Sequence, residues 1–144
     1  MPNWCNNTLE IKLKSKKEKQ SLINFLKDMT TPDGKITFDF NKITPRPKSE
    51  EKNWFAWNIQ NWGTKWSIPE DEIITVEEKI LIGKIILRFN TAWSPPLSVI
   101  RAAALKYTGL SFKLKYWESG MGFRGICIAY KDKIENKQYK YGGY

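Results

Sequence analysis

Five large aromatic side chains, Trp54, Phe55, Trp57, Trp62 and Trp66, fall within thirteen residues, and Asn61, Thr64 and Lys65 stand among them. Polar and cationic groups interleaved with rings suit the stacking of bases with contact to phosphate. The reading that comes first is nonetheless a satellite core beneath a long loop, since aromatics mostly pack. Trp93, at a corner further along the chain, is open to the same two readings: a ring buried as core, or a ligand platform. Asn61, Trp62, Thr64, Lys65, Trp66 and Trp93 are therefore candidate ligand-binding residues. Arg88, Glu118 and Arg124 join them, with Lys12, Lys14, Lys113 and Lys115 as further candidate phosphate contacts. Glu118, beside a glycine-containing turn at residues 119–122, is the best isolated carboxylate for acid or base work. Its alternative role is to pair with a nearby cation or to accept backbone hydrogen bonds at the turn.

The residue types also exclude chemistry. The chain has no histidine, which rules out a triad or dyad built on imidazole. Its two cysteines, Cys5 and Cys127, lack metal-ligand spacing, so no metal site is expected. Cys5 would need a base other than histidine to act as a nucleophile, and a small buried thiol is the competing reading. Neither GxxxxGK[ST] nor GxGxxG is present, so no phosphate-cradling loop is expected. These absences point to a non-enzymatic binding protein without a cofactor. The formal charge of +9, with 24 Lys and Arg against 15 acids, favours acidic partners and nucleic acid above all, although a Lys-rich surface also serves solubility. No apolar run approaches the ~20 residues of a membrane span, and the first residues lack the pattern of a signal peptide. A cytoplasmic protein with reduced thiols is the expectation.

Positioning these residues falls to a short list of elements. Residues 8–14 alternate Leu9, Ile11 and Leu13 against Glu10, Lys12 and Lys14, a half-buried strand. Leu22, Phe25, Leu26 and Met29 then recur at helical spacing. Pro45 and Pro47 open an insertion over about residues 41–69, in which Trp54, Trp57 and Asn61 share one face of a short helix ended by Gly63. A strand around residues 73–76, a charged turn near residues 77–79 and a second strand over residues 85–90 predict a hairpin, with one locally acidic edge from Glu70, Asp71, Glu72, Glu77 and Glu78. Ser94 is expected to cap the next helix, Pro95 to fill its first position, and Trp93 to bury its ring beneath the corner. Residues 110–117 alternate as a strand, with Lys113, Lys115 and Trp117 on the polar side. Residues 123–130 form an interior strand, and the Lys-rich remainder an edge ribbon. A single domain spanning residues 1–144 is expected.

Several blocks occur in one order: Trp4, Cys5, Asn6, Asn7, Thr8, Leu9; Phe40, Asn41, Lys42, Ile43 with Pro45 and Pro47; Asn61, Trp62, Gly63, Thr64, Lys65, Trp66; Phe89 through Pro96; and Tyr116, Trp117, Glu118 with Gly120, Met121, Gly122, Phe123. Together they resemble the YubB ferredoxin-like domain family of small plasmid- and phage-encoded proteins. The resemblance implies an α+β ferredoxin-like fold: an antiparallel sheet, two helices on one face, the Trp-rich insertion after the first helix and an added C-terminal strand or hairpin. It also implies a mobile-element origin and brings no catalytic residues. Residues 121–126 fail the signature of RNA recognition motifs, because Gly125 stands where the second aromatic belongs. Two functions remain. One is binding of nucleic acid or a nucleotide through a basic, aromatic surface. The other is a protein–protein inhibitor or accessory factor acting on a host protein such as a defence enzyme. Trp62, Trp66 and Trp93 are expected to meet near Trp4, with Asn6, Asn61, Thr64 and Thr91 fixing their backbones.

Overall fold

The computed structural model describes residues 3–68, 75–79 and 82–140. Strand β1 (Trp4–Leu13) runs through the middle of the sheet, because its alternating residues can bury Cys5, Asn7, Leu9 and Ile11 on one face while Asn6, Thr8, Glu10 and Lys12 point the other way. A 3₁₀ turn (Lys16–Glu18) leads into helix α1 (Lys19–Met29), which buries Leu22, Phe25 and Met29 against that face. The insertion carries two short helices, α2 (Phe40–Ile43) and α3 (Trp54–Asn61), joined by a 3₁₀ stretch (Lys48–Asn53). Strands β2 (Thr75–Lys79) and β3 (Lys84–Ala92), helix α4 (Leu97–Lys106), and strands β4 (Leu110–Glu118), β5 (Phe123–Tyr130) and β6 (Lys133–Lys140) complete the order.

All strand pairs are antiparallel, in the order β2-β3-β1-β4-β5-β6. The first four positions, with α1 and α4 on one face, are the ferredoxin-like arrangement, and β5 and β6 extend it past β4. The expected α+β architecture is what the chain forms. Its core is centred on Phe25, whose ring meets Tyr107 at 5.3 Å and Phe112 at 6.2 Å between centroids. No described helix is long and apolar enough to cross a membrane.

Three local expectations need correction. Glu77, Glu78 and Lys79 lie within β2 and not in a turn, because Glu77 faces the same side as Arg88 and pairs with it. Glu77 and Glu78 do lie on an edge strand, while Glu70, Asp71 and Glu72 lie outside the described residues. Ser94 does not cap α4. The helix begins at Leu97 after Pro96, with no side-chain cap, and the orphan amide of Val99 donates instead to the Trp62 carbonyl at 3.3 Å. Finally, the insertion is no satellite. Trp62 is buried in the main core, where Phe40 meets it edge-on at 5.9 Å and its indole N–H donates to the Thr44 carbonyl at 2.9 Å.

Candidate nucleic-acid interface

Both helices lie on one side of the sheet, so the alternation of every strand leaves a second row of side chains uncovered. Register builds that open face row by row. Trp117 of β4 stands opposite Arg124 of β5, and Arg124 opposite Tyr139 of β6. The adjacent row holds Lys115, Ile126 and Lys137. Neighbouring strands lie about 4.8 Å apart, which puts the Trp117 and Tyr139 backbones roughly 10 Å apart with a guanidinium between them. Trp117 is 41% and Tyr139 54% exposed. With Lys115, Arg124 and Ile126 they line a concavity of about 600 Å³.

Charge divides this face in two. Towards β2, Arg88 Nη1 holds Glu77 Oε1 at 2.7 Å and Lys84 Nζ holds Glu10 Oε1 at 3.3 Å, so cations there have partners. The Arg88 guanidinium holds the Glu77 carboxyl below the usual carboxylate range. Towards β6, no carboxylate among the described residues forms an ion pair with Lys115 or Arg124, while Lys137 Nζ meets Glu135 Oε1 at 3.6 Å, both well exposed. The cationic half is therefore also the aromatic half.

Arg88 and Arg124 thus fall on different halves of the face. The Trp-rich candidates lie elsewhere, at the end of the sheet where β1 begins. Trp4 meets Trp66 at 6.3 Å, and the Lys65 ammonium sits 4.7 Å from the Trp66 ring and 4.4 Å from that of Trp93, a cation–π arrangement. Thr64 is buried and donates to the Ala92 carbonyl at 2.7 Å, and Thr91 donates to the Ser94 carbonyl at 2.6 Å. Asn61 donates only to Trp57 one turn back; Asn58, which accepts from Arg46 and donates to the Lys65 carbonyl, does the bridging expected of it. Likewise Asn7, not Asn6, holds β1 to the corner through Thr91 Oγ1 at 2.9 Å. Trp93 is not the buried ring expected at the corner. Its backbone adopts φ 72°, a left-handed conformation that costs a bulky residue about 1–3 kcal/mol. That turns its indole outward, 40% exposed.

Two groups weighed for catalysis have structural work instead. Burial pushes the Cys5 thiol up to about 12 and that of Cys127 up to about 11, the opposite of an activated nucleophile. Glu118 is buried, and its carboxylate accepts from the amides of Gly120 at 2.5 Å and Met121 at 2.7 Å, fixing the β4–β5 turn. Glu118→Gln puts an NH₂ where one of those donors needs an acceptor. It should lower the stability measured by urea denaturation by about 1–3 kcal/mol.

The residues that complete the open-face row, Tyr139 and Lys137, were not among the sequence candidates, and Trp117 was placed on the polar side of its strand without being singled out. Comparison with known proteins bears on fold and family. No curated protein matches the chain. The crystal structure of a protein api92 from Yersinia pseudotuberculosis superposes with a TM-score of 0.65 over 100% of both chains, at 12% sequence identity, a likeness of fold. The resemblance to the YubB family is overturned, and with it goes the support for a plasmid or phage origin. The blocks that carried it are corners of the fold: Trp62 fills the core and Gly63 takes a left-handed turn at φ 88°. Residues 75–142, which span β2 to β6, match instead a family model described as the ferredoxin-like domain in Api92-like protein, a description that names a fold and no activity.

Proposed function

We propose that the protein binds single-stranded nucleic acid on the open face of its sheet, across β4, β5 and β6. The observation that carries this reading is the cross-strand row Trp117, Arg124, Tyr139: two exposed rings with a cation between them, beside Lys115. Rings so placed stack on bases whose faces are free, which a duplex does not offer, and the cations meet the phosphates that link them. The chain's charge of +9 draws such a ligand in.

The test is a fluorescence-anisotropy titration of a labelled oligothymidylate at a series of salt concentrations. The logarithm of affinity should fall with the logarithm of salt by roughly 0.7 for each phosphate contacted. Arg124→Ala should reduce that slope by about one contact. Arg88→Ala should leave it unchanged, because Glu77 already holds that guanidinium. A flat salt response, or equal affinity for a duplex of the same length, would overturn the reading. One observation favours a protein partner instead: Ile126 and Ile128 also stand exposed on this face. Salt-insensitive capture of a single protein, with no oligonucleotide binding, would select that alternative.

A further inference from the structure

Arg124 and Tyr139 face the open side, so their strand neighbours Phe123, Gln138 and Lys140 face the other. There they line a second cleft of about 680 Å³, together with Trp93, Ser98 and Met121. The two hollows are thus back to back on the same two strand ends, separated by the sheet and joined around the turn at residues 119–122.

Trp93 is held in place for this cleft by more contacts than a loose corner needs. Its amide donates to the Asn3 carbonyl at 2.7 Å, while Ser94 Oγ donates to the Gly63 carbonyl at 2.7 Å and Thr91 to that of Ser94. A strained residue braced from both sides is the pattern of a functional constraint. The indole already carries the Lys65 ammonium at 4.4 Å and meets the Phe55 ring edge-on at 6.0 Å between centroids, and neither of those residues lines the cleft. At the mouth Met121 is 74% exposed, a polarizable side chain suited to lie against a flat ring. Ser98 and Gln138 supply hydrogen-bonding groups, Lys140 a positive charge, and among the described residues no carboxylate lines the cleft. An apolar hollow with a few polar groups and one cation fits a flat, hydrogen-bonding ligand attached to an anion.

We propose that this cleft takes one nucleobase of the strand that crosses the open face, with the strand passing over the turn held by Glu118. The choice of a nucleobase rests on the open-face reading; the cleft itself rests on Trp93.

The probe is 2-aminopurine, whose fluorescence falls on stacking, used both as the free riboside and at one end of an oligothymidylate. The protein should quench both. Trp93→Gly removes the ring and suits the left-handed backbone, and it should abolish quenching of the riboside while the Tm is retained. Met121→Ala, at an exposed site, should weaken riboside binding roughly tenfold and serves where the first variant fails to fold. Trp117→Ala with Tyr139→Ala should weaken the oligonucleotide and leave the riboside quenched. If the oligonucleotide binds with the expected salt slope but quenching is the same in Trp93→Gly, the cleft proposal falls and the open-face reading stands. If the riboside is quenched through Trp93 while no oligonucleotide binds, the open-face reading falls and the cleft stands.

Discussion

Trp117→Ala combined with Tyr139→Ala should weaken oligothymidylate binding by roughly 30- to 10⁴-fold, since each ring lost removes about 1–3 kcal/mol of stacking. Both side chains are substantially exposed, and neither is among the core residues. The Tm should therefore stay within a few degrees of the parent, which separates loss of binding from loss of fold. The salt slope should hardly change, because Lys115 and Arg124 both remain. That combination, affinity down and slope preserved, is the signature of stacking lost with phosphate contacts kept. A double variant that binds as tightly as the parent would show that the rings are not the platform.

Gly63→Ala should be among the most damaging small substitutions in the chain. At φ 88° the backbone is left-handed, a region that costs any other residue about 1–2 kcal/mol. A methyl group there would also lie 2.9 Å from the Leu97 amide nitrogen and 3.0 Å from that of Ser98, and backbone at the start of α4 cannot step aside. Overpacking of this kind costs roughly 1–3 kcal/mol more. Differential scanning calorimetry should show the Tm lowered by roughly 10 °C. Gly34→Ala is the control. It too has positive φ, 87°, but nothing within 4 Å of the added carbon, so only the conformational cost applies. Equal losses at the two sites would show that the contact between residue 63 and α4 does not matter.

The fold was legible where one face of an element is buried. Leu9, Ile11 and Leu13 mark β1 by alternation, and Leu22, Phe25 and Met29 mark α1 by helical spacing, because burial on one side leaves a period in the sequence. That same alternation, followed back from Leu9 to the start of the strand, sends Asn7 inward and Asn6 outward. Trp93 was harder. Its outward turn follows from a left-handed backbone set by Asn3, Thr64, Thr91 and Ser94, contacts that are distant in sequence or invisible to it. Of the open face, Arg88, Lys113, Lys115 and Arg124 could be read as exposed cations. That Glu77 holds Arg88, or that Tyr139 stands beside Arg124, depends on strand register, which no local pattern near the Lys-rich end of the chain discloses.

The row Trp117, Arg124, Tyr139 takes one residue from the last strand of the four-strand ferredoxin-like core and two from the hairpin beyond it. That hairpin is joined to the core by a single turn, and its outer strand buries almost nothing of its own. The inward side of β5 does belong to the core, where Cys127 and Ala129 are fully buried, whereas its outward side does not. A lineage could therefore alter this surface by changing the outward residues of the hairpin, Arg124 and Tyr139 among them, while keeping the inward ones on which the core depends. Proteins alike across the four-strand core need not share a ligand, and the hairpin is the segment in which to look for the difference.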